Sequence, residues 1–91
     1  MVIAVSVLDA EEVSRQLVQN GCPAHRYVSG RWVPGHRTKN VDSRTVLVWY
    51  RTSPGDGIRQ FQEVLRARVV LEDLGYRVEQ VGERAMEVTA L

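Results

Sequence analysis

Thr45-Val46-Leu47-Val48-Trp49-Tyr50-Arg51 is the stretch whose reading decides the fold. β-Branched and aromatic side chains dominate it, which favours extended backbone. Apolar residues occupy both of its alternating faces, and a strand of that kind belongs in the middle of a sheet, with Trp49 expected in the core. Downstream, Ser53-Pro54-Gly55-Asp56-Gly57 reads as a turn and helix cap leading into the longest helix, residues 57–74, which Gly75 stops. Residues 76–81 resume as a strand, a turn near Gly82-Glu83 follows, and 85–89 form a last strand as a C-terminal extension.

Upstream of the deciding strand, residues 2–8 read as a strand with Ile3, Val5 and Val7 on one face. Asp9 and Glu12 have the spacing of a capping box. Ala10, Val13 and Leu17 then give a helix a narrow apolar stripe, and Asn20-Gly21 ends it by a left-handed exit. Residues 24–28 and 31–34 form a hairpin turning at Ser29-Gly30, while 35–43 are polar and are read as irregular. The expected order is β-α-β-β-β-α-β-β: one small α+β domain over residues 1–91, with two helices on a mainly antiparallel sheet. This resembles a ferredoxin-like split β-α-β arrangement with an extra hairpin strand. The resemblance is one of fold order alone and implies no activity.

Composition limits the classes of function. The chain has 91 residues, 44% hydrophobic and 25% charged, which is too apolar for a disordered segment. Its net charge is +1, so the chain as a whole is not committed to nucleic acid or to a membrane surface. Cys22 is the single cysteine, which suits a reducing cytoplasm. The apolar start, residues 1–8, meets Asp9 without a basic region or cleavage site and is not read as a signal peptide. No run is long enough for a membrane helix. Eleven of the twelve basic residues are Arg, which hints at a high-GC bacterium or its phage.

Several constellations carry chemistry and a plainer alternative. Cys22, His25 and His36 are the soft metal ligands, with Asp42 as a fourth donor, but a structural zinc site normally uses four Cys or His. A Cys22–His25 nucleophile pair lacks an orienting partner and an oxyanion site. Glu11-Glu12 and Glu72-Asp73 point about 100° apart on helices and read as solvated faces. The 53–57 turn can cradle a phosphate on backbone amides, yet it lacks a P-loop lysine, and Asp56 repels an anion. Neither a cofactor nor a metal is expected, and no enzyme is expected.

Charge distribution says more. Between residues 25 and 51, six basic side chains oppose the single acid Asp42, so this segment carries +5 of a chain total of +1. Tyr27, Trp32, Trp49 and Tyr50 are interleaved with those charges. Arg26, Arg31, Trp32, His36, Arg37, Lys39 and Arg44 are therefore the candidate binding residues. Nucleic acid, a protein partner and a plain solvated surface all remain open. A second clue is the helix at 57–74. Ile58, Phe61, Leu65 and Val69 form one apolar stripe; Val64, Ala67, Leu71 and Leu74 form another beside it. The combined arc is wider than one sheet face covers, so homo-oligomerisation is expected, with Val64, Ala67, Arg68, Leu71 and Leu74 at the contact. A structural or adaptor subunit of a larger assembly, such as a phage particle, is the alternative function. A small metal protein or enzyme using Cys22, His25 and His36 is the remote one.

Overall fold

Asp9 caps the first helix, α1 (Ala10–Gln19), by accepting the Glu11 amide on its side chain. The computed structural model describes residues 8–51 and 57–90. The expected strand at 2–8, save Leu8, and the turn at 53–56 lie outside the described residues. Glu12 does not close the expected capping box; it pairs along the helix with Arg15, one turn on. The Ala10 amide is taken instead by Asn40 Oδ1, 30 residues on in the chain, at 2.9 Å. Gly21 leaves the helix at φ +85°, and the Cys22 amide donates to the Leu17 carbonyl at 2.9 Å, which closes a Schellman exit.

Among the described residues six strands follow, in two antiparallel sheets. β1 (Arg26–Val28) and β2 (Arg31–Val33) pair only with each other. Ser29 and Gly30 turn between them at φ +51° and +82°, the two positive values of a type I′ hairpin. The main sheet holds β3 (Gly35–Asn40), β4 (Thr45–Arg51), β5 (Arg77–Gln80) and β6 (Ala85–Thr89) in the order β3-β4-β6-β5. Between β4 and β5 runs the second helix, α2 (Gly57–Asp73). β4 and β5 are parallel, with β6 antiparallel between them, so β4-α2-β5 is a split β-α-β unit.

Two expectations about the sheet need correction. Of residues 35–43 only 41–43 are irregular: β3 pairs with β4 over six residues, from Gly35 opposite Arg51 to Asn40 opposite Val46. Nor is the last strand an extension, because β6 fills the central slot of the split unit. Both strands are short on the apolar signal that marks β4. β3 docks on α1 through polar side chains: His36 meets Ser14 Oγ at 2.8 Å, Thr38 donates to the Ala10 carbonyl, and Asn40 donates to the Leu8 carbonyl.

Both helices cover one face of the main sheet. Val46, Val48 and Tyr50 from β4, with Met86 and Val88 from β6, meet Val13 and Leu17 of α1 and Val64, Ala67 and Leu71 of α2. Each fully buried side chain of this size contributes roughly 1.5–3 kcal/mol. Val64, Ala67 and Leu71 thus serve the chain's own core, not the expected intersubunit contact. The sequence offers two equally apolar stripes on α2, and the one with small Ala67 at its centre is the one that lies flat on the sheet. Arg68, paired with Glu72, and Leu74 lie towards solvent, and the outward stripe is Ile58, Phe61, Leu65 and Val69. Trp49 points to the face of the sheet that no described helix covers and is half-buried there; Tyr50 is buried in the core.

Candidate nucleic-acid interface

The β1-β2 hairpin projects from one end of the main sheet. Among the described residues, neither of its faces packs substantially against a helix or another strand. Tyr27 and Trp32 are cross-strand partners on one face, edge to face with centroids 5.2 Å apart. His25 stacks on Trp32 at 4.7 Å with the rings 2° from parallel, so three aromatic rings form one cluster. Trp32 nonetheless stays 60% exposed. Arg26, Val28, Arg31 and Val33 make the other face, and both arginines are exposed.

What holds this hairpin is its base. Residues 23–25 run beside the start of β3, where the His25 amide donates to the His36 carbonyl at 2.9 Å and the His36 amide to the Pro23 carbonyl at 3.1 Å. The approach is so close that a Cβ on Gly35 would lie 2.3 Å from the Pro23 carbonyl oxygen. Glycine is required there by space, not by backbone angle.

From that base the basic residues spread along β3. Arg37 and Lys39 alternate out onto the sheet face that no described helix covers, Arg37 in register with Trp49. Arg51 lies opposite Gly35, and the Arg84 carbonyl accepts the Tyr50 amide, which places both residues at the hairpin end of the sheet. Arg59 lines a cleft there with Pro23, Pro34, Gly35, Tyr50 and Glu63. Arg44 stands apart, in the turn at the far end of β3, about 20 Å from Gly35 at strand rise. Among the described residues none of Arg26, Arg31, Arg37, Lys39 and Arg44 is in an ion pair. Arg51, Arg59, Arg84 and Gly35 are not among the residues the sequence singles out for the site. Arg51 belongs to the basic run of residues 25–51; the others come together only through strand pairing and the packing of α2.

His36 does not belong to this exposed set. It is 1% exposed, with one ring nitrogen against Ser14 and its ring edge-on to Tyr50 at a centroid distance of 6.2 Å. Burial pushes its pKa below the ordinary 6.5, outweighing nearby backbone carbonyls that favour the charged ring. The sign follows from linkage. Well above pH 6.5 both folded and unfolded chains hold the ring neutral; between 6.5 and the lower folded-state value the unfolded chain takes up the proton and the folded chain does not. Stability should therefore fall as the pH drops below 6.5, with a limiting slope of about 1.4 kcal/mol per pH unit. Urea titrations at stepped pH should show this slope, and His36→Gln should flatten it.

The remaining reactive groups are quiet. Cys22 is fully buried, and burial pushes its thiol pKa up, so the thiol is held protonated and not activated. Burial raises the Tyr50 phenol in the same way. His25 is engaged with Trp32 and His36 with Ser14, and among the described residues no three His, Cys, Asp or Glu side chains are grouped to hold a metal. No described helix is long and apolar enough to cross a membrane. The chain matches no family model, no curated protein and no solved structure.

Proposed function

We propose that this chain is a non-enzymatic nucleic-acid-binding module that takes hold of an unpaired strand with its projecting hairpin. The observation that carries the reading is an arm with arginines on one face, aromatic rings on the other, and, among the described residues, no substantial packing beyond its base. A two-stranded hairpin standing alone in water is marginally stable, so an arm of this kind is completed by what it binds. Exposed tryptophan and tyrosine offer stacking surfaces to unpaired bases of any sequence, worth about 1–3 kcal/mol per base. Arg26, Arg31, Arg37 and Lys39 supply uncommitted cations for phosphate, and Arg51 adds another at the base. Arg44 is too far along β3 to join the arm on a short strand and would matter only for a longer one.

The reading is tested by fluorescence anisotropy with labelled mixed-sequence single strands and with the matching duplexes, over a series of salt concentrations. Single strands should bind more tightly, and affinity should fall with a log–log slope of about −0.7 per phosphate contacted. Absence of binding to either form at low salt would overturn the reading and leave the arm to a protein partner.

A further inference from the structure

We propose that two copies of this chain associate through the outward face of α2, the helices lying antiparallel with the two Leu65 side chains on the two-fold axis. Ile58, Phe61, Leu65 and Val69 recur at three- and four-residue spacing on one line of the helix and are between 42% and 81% exposed. A two-fold axis at Leu65 sets the bulky Phe61 of each copy against the smaller Val69 of the other, large against small. Together the four side chains offer roughly 500 Å² per copy, about 1,000 Å² for the pair, which reaches the lower bound for a specific interface.

Charge identifies the occupant as a second α2. The helix carries no acid in its first turn and no base in its last. Arg59 stands near its N-terminus and Glu72 and Asp73 at its C-terminus, the reverse of what its own dipole favours. An antiparallel copy sets the acids of one helix against the base of the other. The axis at Leu65 brings the partner's Glu72 and Asp73 beside Arg59. The Arg68–Glu72 pair at 2.9 Å borders the seam and leaves it apolar. This inference does not rest on nucleic-acid binding: the apolar seam is on α2, shares only Arg59 with the candidate interface, and is measured without nucleic acid.

Sedimentation equilibrium of the full chain should give twice the monomer mass at high micromolar concentration, and Leu65→Glu should return the monomer mass with an unchanged circular dichroism spectrum. Cysteine pairing fixes the geometry, because buried Cys22 does not compete. Under mild oxidation Leu65→Cys should form a disulfide dimer and Ile58→Cys should not, since residue 58 faces residue 72 of the other copy. Should Leu65→Glu fail to fold, the two cysteine variants still decide. A wild type that stays monomeric, or cross-linking that is equal at 58 and 65, would overturn the proposal.

Discussion

Gly35→Val is expected to lower the melting temperature by about 15 °C or more and to detach the hairpin from the sheet. A Cβ at this position would sit 2.3 Å from the Pro23 carbonyl oxygen and 2.7 Å from the His25 nitrogen, and all three nearest atoms are backbone. No side chain can swing aside to relieve that contact, so residues 23–25 must move. Overpacking of this kind costs about 1–3 kcal/mol. Moving the segment also breaks the two backbone bonds between it and His36, and each buried group left unsatisfied adds about 1–3 kcal/mol. The combined loss is roughly 3 kcal/mol or more, and a domain of this size loses about 4–8 °C per kcal/mol. Thermal unfolding followed by circular dichroism measures the loss. A variant that melts with the wild type would mean that residues 23–25 do not press on β3.

Charge reversal on the arm should have the largest effect on binding. With Arg26→Glu and Arg31→Glu together, two phosphate contacts become repulsions, and affinity for single strands at low salt should fall by about 100-fold or more. The log–log salt slope should become shallower by about 1.4, two contacts at about 0.7 each. The arginines are exposed and outside any ion pair among the described residues, so the fold should be unaffected. Arg44→Glu is the control; it should leave short oligonucleotides bound as before. Equal losses from the arm and from Arg44 would place the binding surface along the whole of β3 instead of on the hairpin.

The sequence is most legible where side-chain pattern and backbone agree. Thr45–Arg51 reads as a central strand because it is apolar on both faces, and it is one. Gly21 and Gly75 end their helices, and Ser29-Gly30 turns the hairpin, because positive φ leaves a residue signature. β3 is hidden for a physical reason. Its inward residues His36, Thr38 and Asn40 reach α1 by hydrogen bonds, so the alternation is polar against charged and carries no hydrophobic period. A histidine beside arginines reads as a surface residue, and only the pairing of β3 with β4 turns His36 inward. Trp49 and the two stripes of α2 fail in the same way, as each is an apolar residue with two faces to choose from and tertiary packing makes the choice. Arg84 joins Arg51 at the hairpin end of the sheet through strand neighbours far apart in sequence, for which no local signal exists.

Amide hydrogen exchange across the hairpin tests the central claim most directly. The arm has no packing beyond its base among the described residues, so the β1 and β2 amides of the free protein should exchange far faster than those of β4 and β6. Saturation with a single-stranded oligonucleotide should slow the β1 and β2 amides and leave the core strands as they were. Hairpin amides already as protected as β4 in the free protein, or unchanged when the oligonucleotide is bound, would contradict the account.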